Sequence, residues 1–211
     1  PKVADLSVMS FIQVLAATNR DRQLAEYREH PALLARSSNY RVRLGFGLHL
    51  GWSIEGAIGS EFKIDASYLS SHVNMAFCLE TVTRQYGVMI LMSEALVRAC
   101  TKGLSYFFRA IDYVKLQGAK TPTRLFTVDL DASSLNLDSG NGQKKKGTNR
   151  YQMRRLREQI KIEKLDPGFM VHDLFATDRH IKSMRAVYFL EFFQEFERGY
   201  LNYEAGEWDV A

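Results

Sequence analysis

Cysteine and proline are scarce, with two and four among 211 residues. Cys78 and Cys100 show neither a CxxC spacing nor the density of a secreted disulfide scaffold, so a reducing compartment is the expected setting. No apolar run is long enough to span a bilayer and no signal peptide is visible, so no transmembrane segment is expected. Charge of one sign is also lacking. The formal net charge of +4 is mild, and lysine and arginine are dispersed except around 144–157. These absences argue against a disulfide-stapled miniprotein, a helical membrane protein and a uniformly basic nucleic-acid binder. They leave an intracellular, cytoplasmic globular protein as the expectation. The chain starts at Pro1 without an initiator Met and stops inside a helical pattern at Ala211, which implies a segment of a longer protein.

What the chain does have is 46% hydrophobic and 25% charged residues, enough for one good core and an appendage. Residues 4–18 place Leu6, Met9, Phe11, Ile12 and Leu15 mostly on one helical face, and 19–30 could prolong that helix. Residues 41–50 alternate as a strand and 52–58 read as a second, which predicts a hairpin turning near Gly51. A short strand around 63–69 follows. Ser70 or Ser71 then caps a helix that runs to about Tyr86 and ends at Gly87. Val88–Met92 reads as a strand, Ser93 as the cap of a further helix, and 105–116 and 123–130 as strands. This alternation predicts an α/β sandwich over 1–130. A polar linker at 131–149 and a helical extension at 150–211 follow it, the latter with a basic helix over 150–164 and one long aromatic-rich helix over 177–204.

Residues 45–81, GFGLHLGWSIEGAIGSEFKIDASYLSSHVNMAFCLET, carry the densest information. Closely spaced glycines let backbone approach backbone or a ligand where a Cβ would collide. The ordered markers are Gly47-Leu48-His49 with Gly51, Gly56-Ala57-Ile58-Gly59-Ser60, and Val73-Asn74-Met75-Ala76 with Leu79-Glu80. Gln85-Tyr86-Gly87-Val88, Ile90-Leu91-Met92-Ser93 and a Gly118…Pro122…Arg124 turn come next. In this order the stretch from about Ala4 to Leu130 resembles the C-terminal two-thirds of a class III adenylate/guanylate cyclase domain. The resemblance implies that family's α/β fold, a sandwich related to the ferredoxin-like βαββαβ plan. Here it would be incomplete at its N-terminus and followed by the helical extension.

The family's two metal-binding carboxylates and its adenine-reading lysine lie upstream of this chain's first residue, so no metal ligand is expected here. Magnesium or manganese would be needed only if the domain is active. The resemblance places Ser67 at the base-contacting position and Asn74 at the ribose-orienting one. Cys78 stands where an arginine stabilises the transferring phosphate, and a thiol does not replace a guanidinium fork. Lys120 is displaced by one residue from the family's phosphate-binding lysine, with Gln117 and Ala119 flanking Gly118. Asn74 is the catalytic candidate, and Ser67, Asn74 and Lys120 are the nucleotide-binding candidates.

The expectation is therefore a degenerate cyclase-homology module used for dimerisation, regulation or scaffolding in a larger protein. The alternative is the metal-donating half of an active adenylate or guanylate cyclase, which would convert ATP or GTP to cyclic nucleotide and pyrophosphate with a partner domain. A second cyclase-type domain is the implied partner in either case. His49 reads as a satisfied structural histidine, and Lys63 with Asp65 as a solvated turn. Lys144–Lys146 with Arg150, Arg154, Arg155 and Arg157 suit an acidic partner such as tubulin tails, anionic lipid or RNA, or else form a solvated face. Protein partners are expected through 150–211, whose final residues resemble the lead-in to a TPR-type helical hairpin. Such a surface suits a large assembly such as a cilium or cytoskeletal structure.

Overall fold

The computed structural model describes residues 1–138 and 149–210. In chain order its helices and strands begin with α1 (Lys2–Arg20), α2 (Arg22–Glu26), α3 (Pro31–Leu34), β1 (Phe46–Leu48), β2 (Ile54–Gly59) and β3 (Ile64–Leu69). Next come α4 (Ser71–Tyr86), β4 (Ile90–Ser93), α5 (Glu94–Ala99), α6 (Lys102–Ser105), β5 (Arg109–Val114) and β6 (Thr123–Thr127). The chain closes with α7 (Arg150–Leu165), α8 (Leu174–Thr177), α9 (Arg179–Arg185) and α10 (Leu190–Ala205). They form two compact units, each assembled from two stretches of chain: Pro1–Arg43 with Leu130–Val187, and Leu44–Asp129 with Tyr188–Ala211. This grouping cuts across the sequential division at 130 and 149, because the residues around α10 belong with the sheet.

The first unit is helical. α1 buries Val8, Met9, Ile12, Leu15 and Ala16, a stripe with helical spacing, while Leu6 and Phe11 are only half-buried. Asp21 ends α1 and starts α2, its carboxylate accepting from the Leu24 amide at 2.9 Å, so the polar stretch does not prolong the first helix. Val171, Phe175, Ile181 and Met184 supply the opposing core. The helix expected over 177–204 is in fact two, α9 and α10, separated at 186–189, where Phe189 is extended and begins α10.

The second unit is a mixed α/β layer that agrees with the expected fold class. Its four-stranded sheet has the order β1-β4-β6-β5, with β1 and β4 parallel and the other pairs antiparallel. α4 lies on β1 and β4, and its Leu79 meets Leu91, Leu116 and Leu125 in a continuous core. The caps of α4 are as read from sequence. Ser70 Oγ accepts from the Val73 amide at 3.1 Å, and Gly87 ends the helix at φ 67°. The hairpin at Gly51 does not exist. β1 pairs with β4, and the hairpin is β2–β3, in register from Ile54↔Leu69 to Gly59↔Ile64.

The glycines explain the close layer. A Cβ at Gly47 would lie 2.2 Å from the Ala76 carbonyl oxygen and 2.2 Å from the Glu80 amide nitrogen, so β1 and α4 touch backbone to backbone. Gly51 is needed for a different reason: its Cβ would sit 2.1 Å from Cγ of His72.

Candidate functional site

The residues singled out by the resemblance fall on three elements. Ser67 is on β3, opposite Gly56, and is half-buried. Asn74 is exposed in the first turns of α4, its backbone N–H donating to the Ser70 carbonyl at 3.3 Å. Lys120 is exposed beyond the β5–β6 turn, whose Gly118 has φ 82°. Among the described residues, no hydrogen bond or ion pair joins these three side chains.

Cys78 points inward. With Met75, Val82 and Tyr86 it forms the stripe of α4 that packs on the Leu79–Leu91–Leu116–Leu125 core. The position therefore fills space between helix and sheet. Among the described residues no group of three or more His, Cys, Asp or Glu converges to hold a metal ion. Lys144–Lys146 lie outside the described residues; Arg150, Arg154, Arg155 and Arg157 are exposed on α7.

A polar cluster that sequence reading did not foresee stands at the root of the β2–β3 arm. His49 follows β1, and its Nδ1 is 2.7 Å from Ser93 Oγ. Its Nε2 is 2.8 Å from Nδ1 of His72, in the first turn of α4. The two rings stack at 5.1 Å, and Trp52 meets His72 edge-on at 5.9 Å. Burial, and then charge on His72, hold the His49 pKa below its ordinary value, which favours the neutral ring needed in this chain of bonds. Ser93, only 1% exposed, spends its hydroxyl on His49, and no side-chain cap forms on α5. The cluster joins the segment entering the arm to the one leaving it. His49 was legible as structural; His72 was not singled out, and the only signal was a histidine next to a capping serine.

On the far side of the sheet, α5, β5, β6 and the end of α10 surround an open cleft of about 550 Å³ lined by Glu94, Arg98, Tyr113, Arg124, Tyr203 and Trp208. Arg124 Nε donates to Glu204 Oε1 at 3.0 Å while its guanidinium lies over the Tyr113 ring. This bond holds the Glu204 carboxyl below its usual range. Tyr200 also donates to Glu204, at 2.9 Å, and burial followed by that bond pushes its phenol up to about 12. Asp112 accepts from both Tyr86 of α4 and Tyr203 of α10, the latter at 2.9 Å. Arg109 forks onto Asp129, with Nε to Oδ2 at 2.7 Å, and stacks 4.0 Å from the Phe196 ring centre. These bonds fasten α10 to the sheet edge, so the aromatic face expected to need a partner finds part of one in β5.

No family model matches the chain. Over 89 residues it is 34% identical to an adenylate cyclase of Anabaena cylindrica, a match that covers 42% of this chain and 18% of that protein. Over 86 residues it is 29% identical to adenylate cyclase 1 of Rhizobium meliloti (strain 1021), covering 41% of this chain and 13% of that one. The chain contains a segment related to class III adenylate cyclases.

Structures of a bacterial light-regulated adenylyl cyclase are also similar to parts of this chain. One is 28% identical with a TM-score of 0.35, covering 40% of this chain and 24% of that one. A second is 22% identical with a TM-score of 0.34, covering 57% and 29%. The matched part is thus a small fraction of each relative, and no described helix is long and apolar enough to cross a membrane.

Proposed function

We propose that this chain is a cyclase-homology module that pairs with a second cyclase-type domain through its β2–β3 arm and does not form a complete catalytic site alone. One observation carries the reading. All six residues of β2 and five of six in β3 are exposed, although the arm carries Ile54, Ile58, Ile64, Tyr68 and Leu69. The register puts Ile54, Ile58 and Leu69 on one face and Ile64 and Tyr68 on the other. Phe62, at the tip, is 96% exposed. A two-stranded ribbon with apolar residues on both faces is marginal in water and invites association. Cys78 supports the second half of the reading, since it offers a packed thiol where charge stabilisation would need a guanidinium.

Sedimentation of the chain across a concentration series tests the pairing. A reversible dimer is expected, and Ile58→Asp and Ile64→Asp should each weaken it by about tenfold or more by burying charge in the apolar contact. A monomer throughout the series, or a dimer indifferent to both substitutions, refutes the arm. Cyclic-nucleotide formation by the chain alone, abolished by Asn74→Ala, would refute the incomplete site.

A further inference from the structure

The β2–β3 arm enters and leaves the sheet-containing unit through two segments that one side-chain bond joins. His49 follows the last residue of β1, and His72 stands just after the end of β3, in the first turn of α4. His49 Nε2 lies 2.8 Å from His72 Nδ1, and His49 Nδ1 lies 2.7 Å from Ser93 Oγ. The fit around them is close. Gly51 has no room for a Cβ beside the His72 ring, and Trp52 meets that ring edge-on at 5.9 Å. The neighbouring carboxylates are engaged elsewhere. Glu55 of β2 accepts from the Tyr68 hydroxyl at 3.2 Å, Asp65 of β3 pairs with Lys63 at 2.9 Å, and Glu94, next to Ser93, pairs with Arg98 at 2.7 Å. β1 carries no charged side chain, and Glu80 of α4 lies about two turns beyond His72. The charge that acts on His49 is that of His72.

The pair tolerates one added proton but not two. With both rings neutral, one hydrogen lies in each contact, directed either from Ser93 towards His72 or back again. With one proton added, His72 Nδ1–H donates to His49 Nε2, His49 Nδ1–H donates to Ser93 Oγ, and both contacts survive. A second proton makes both nitrogens of the His49–His72 contact donors and sets two cations on rings 5.1 Å apart, so the bond breaks. The dipole of α4 also opposes a cation in its first turn. The arm itself is almost wholly exposed, so its direction is set at its root, and an arm without a fixed direction must be ordered again on pairing. We infer that His49 and His72 form a proton-operated latch, whose double protonation unfastens the root of the arm and weakens pairing through it. The latch rests on the arm-pairing reading given above.

Sedimentation of the full chain at about pH 7.5 and about pH 5.5, on either side of the ordinary histidine range, tests the latch. Pairing takes two arms, so a population only half unlatched already weakens the dimer about fourfold, and a loss of at least that size is expected at the acid pH. His49→Gln and His72→Gln each supply a hydrogen-bonding amide and leave one titrating ring, so the doubly protonated pair cannot form. In both variants the dissociation constants at the two pH values should agree within about twofold. Circular dichroism of the parent should be the same at both. Dissociation accompanied by lost secondary structure is unfolding and overturns the latch. So does a parent dimer that changes by less than about twofold, or variants as acid-sensitive as the parent. A chain that is monomeric even at the higher pH refutes the pairing itself, and the latch with it.

Discussion

Replacing Gly47 by alanine puts the contact between β1 and α4 to a direct test. The new methyl would stand 2.2 Å from both the Ala76 oxygen and the Glu80 nitrogen, and 2.8 Å from the Leu79 carbonyl carbon. Carbon contacts settle at about 3.5 Å or beyond, so α4 must retreat by roughly 1 Å. The obstacle is helix backbone, so no rotamer change relieves it. Overpacking of this kind costs about 1–3 kcal/mol, and a backbone obstacle places Gly47→Ala near the upper end. With a urea slope of about 2 kcal/mol per molar, the unfolding midpoint should fall by about 1.5 M. Gly56 is the control: nothing lies within 4 Å of its Cβ position, so Gly56→Ala should shift stability by less than about 0.5 kcal/mol. Both tryptophans, Trp52 and Trp208, belong to the sheet-containing unit, so their fluorescence follows that unit alone. A Gly47→Ala midpoint within about 0.3 M of the parent, or equal damage from Gly56→Ala, would show that the close approach does not limit stability.

The histidine cluster makes stability depend on pH. The folded pKa of His49 lies below 6.5, so the unfolded chain binds the proton more readily; the stabilisation is full above about 6.5 and is lost as pH falls through the folded value. Tryptophan-monitored unfolding should show this loss and His49→Gln should flatten it; an equally steep profile in the variant would refute the cluster's part. Asp112→Ala removes the acceptor of two phenols, and leaving them unpaired should cost about 1–3 kcal/mol. Hydrogen exchange should quicken in Leu190–Ala205 first, and unchanged protection there would count against the clasp. Arg109→Lys keeps the charge but loses the fork to Asp129 and the stacking on Phe196, so a destabilisation of about 2 kcal/mol or more is expected in thermal unfolding, against no change if charge alone mattered. Cys78→Arg should also destabilise, by about 1–3 kcal/mol, because a long side chain enters the packed stripe of α4; a gain in stability would refute that placement.

Much of the fold was legible where the signal was local. The limits of α4 followed from Ser70 and Gly87 because a cap is written within four residues of the helix end. The break before α10 was hidden because Ala186, Val187, Tyr188 and Phe189 include no glycine, proline or capping residue. Gly51 misled for a physical reason: a glycine between two strand-like runs reads as a turn, whereas this one makes room for the His72 ring. In the candidate site, the place of Asn74 near the start of a helix was readable from sequence. The inward direction of Cys78 was implicit in its spacing from Met75, Val82 and Tyr86. The cleft was not readable, since its Arg124–Glu204 pair joins residues 80 positions apart.

The markers that make this chain look like a cyclase act differently in the structure from the residues that would make it one. Gly47 is held by a helix backbone with no space to spare, Gly51 by the His72 ring, and His49 by two bonds at the root of the arm. Each is a joint of the scaffold, and changing any of them disturbs how β1, α4 and the arm meet. Position 78 is under a packing demand instead. A cysteine fills its place between helix and sheet, and α4 keeps both caps and its apolar stripe. The joints and the packed stripe of α4 are therefore separate demands on the sequence. A stable, pairing domain without a complete site is the combination this division of roles permits.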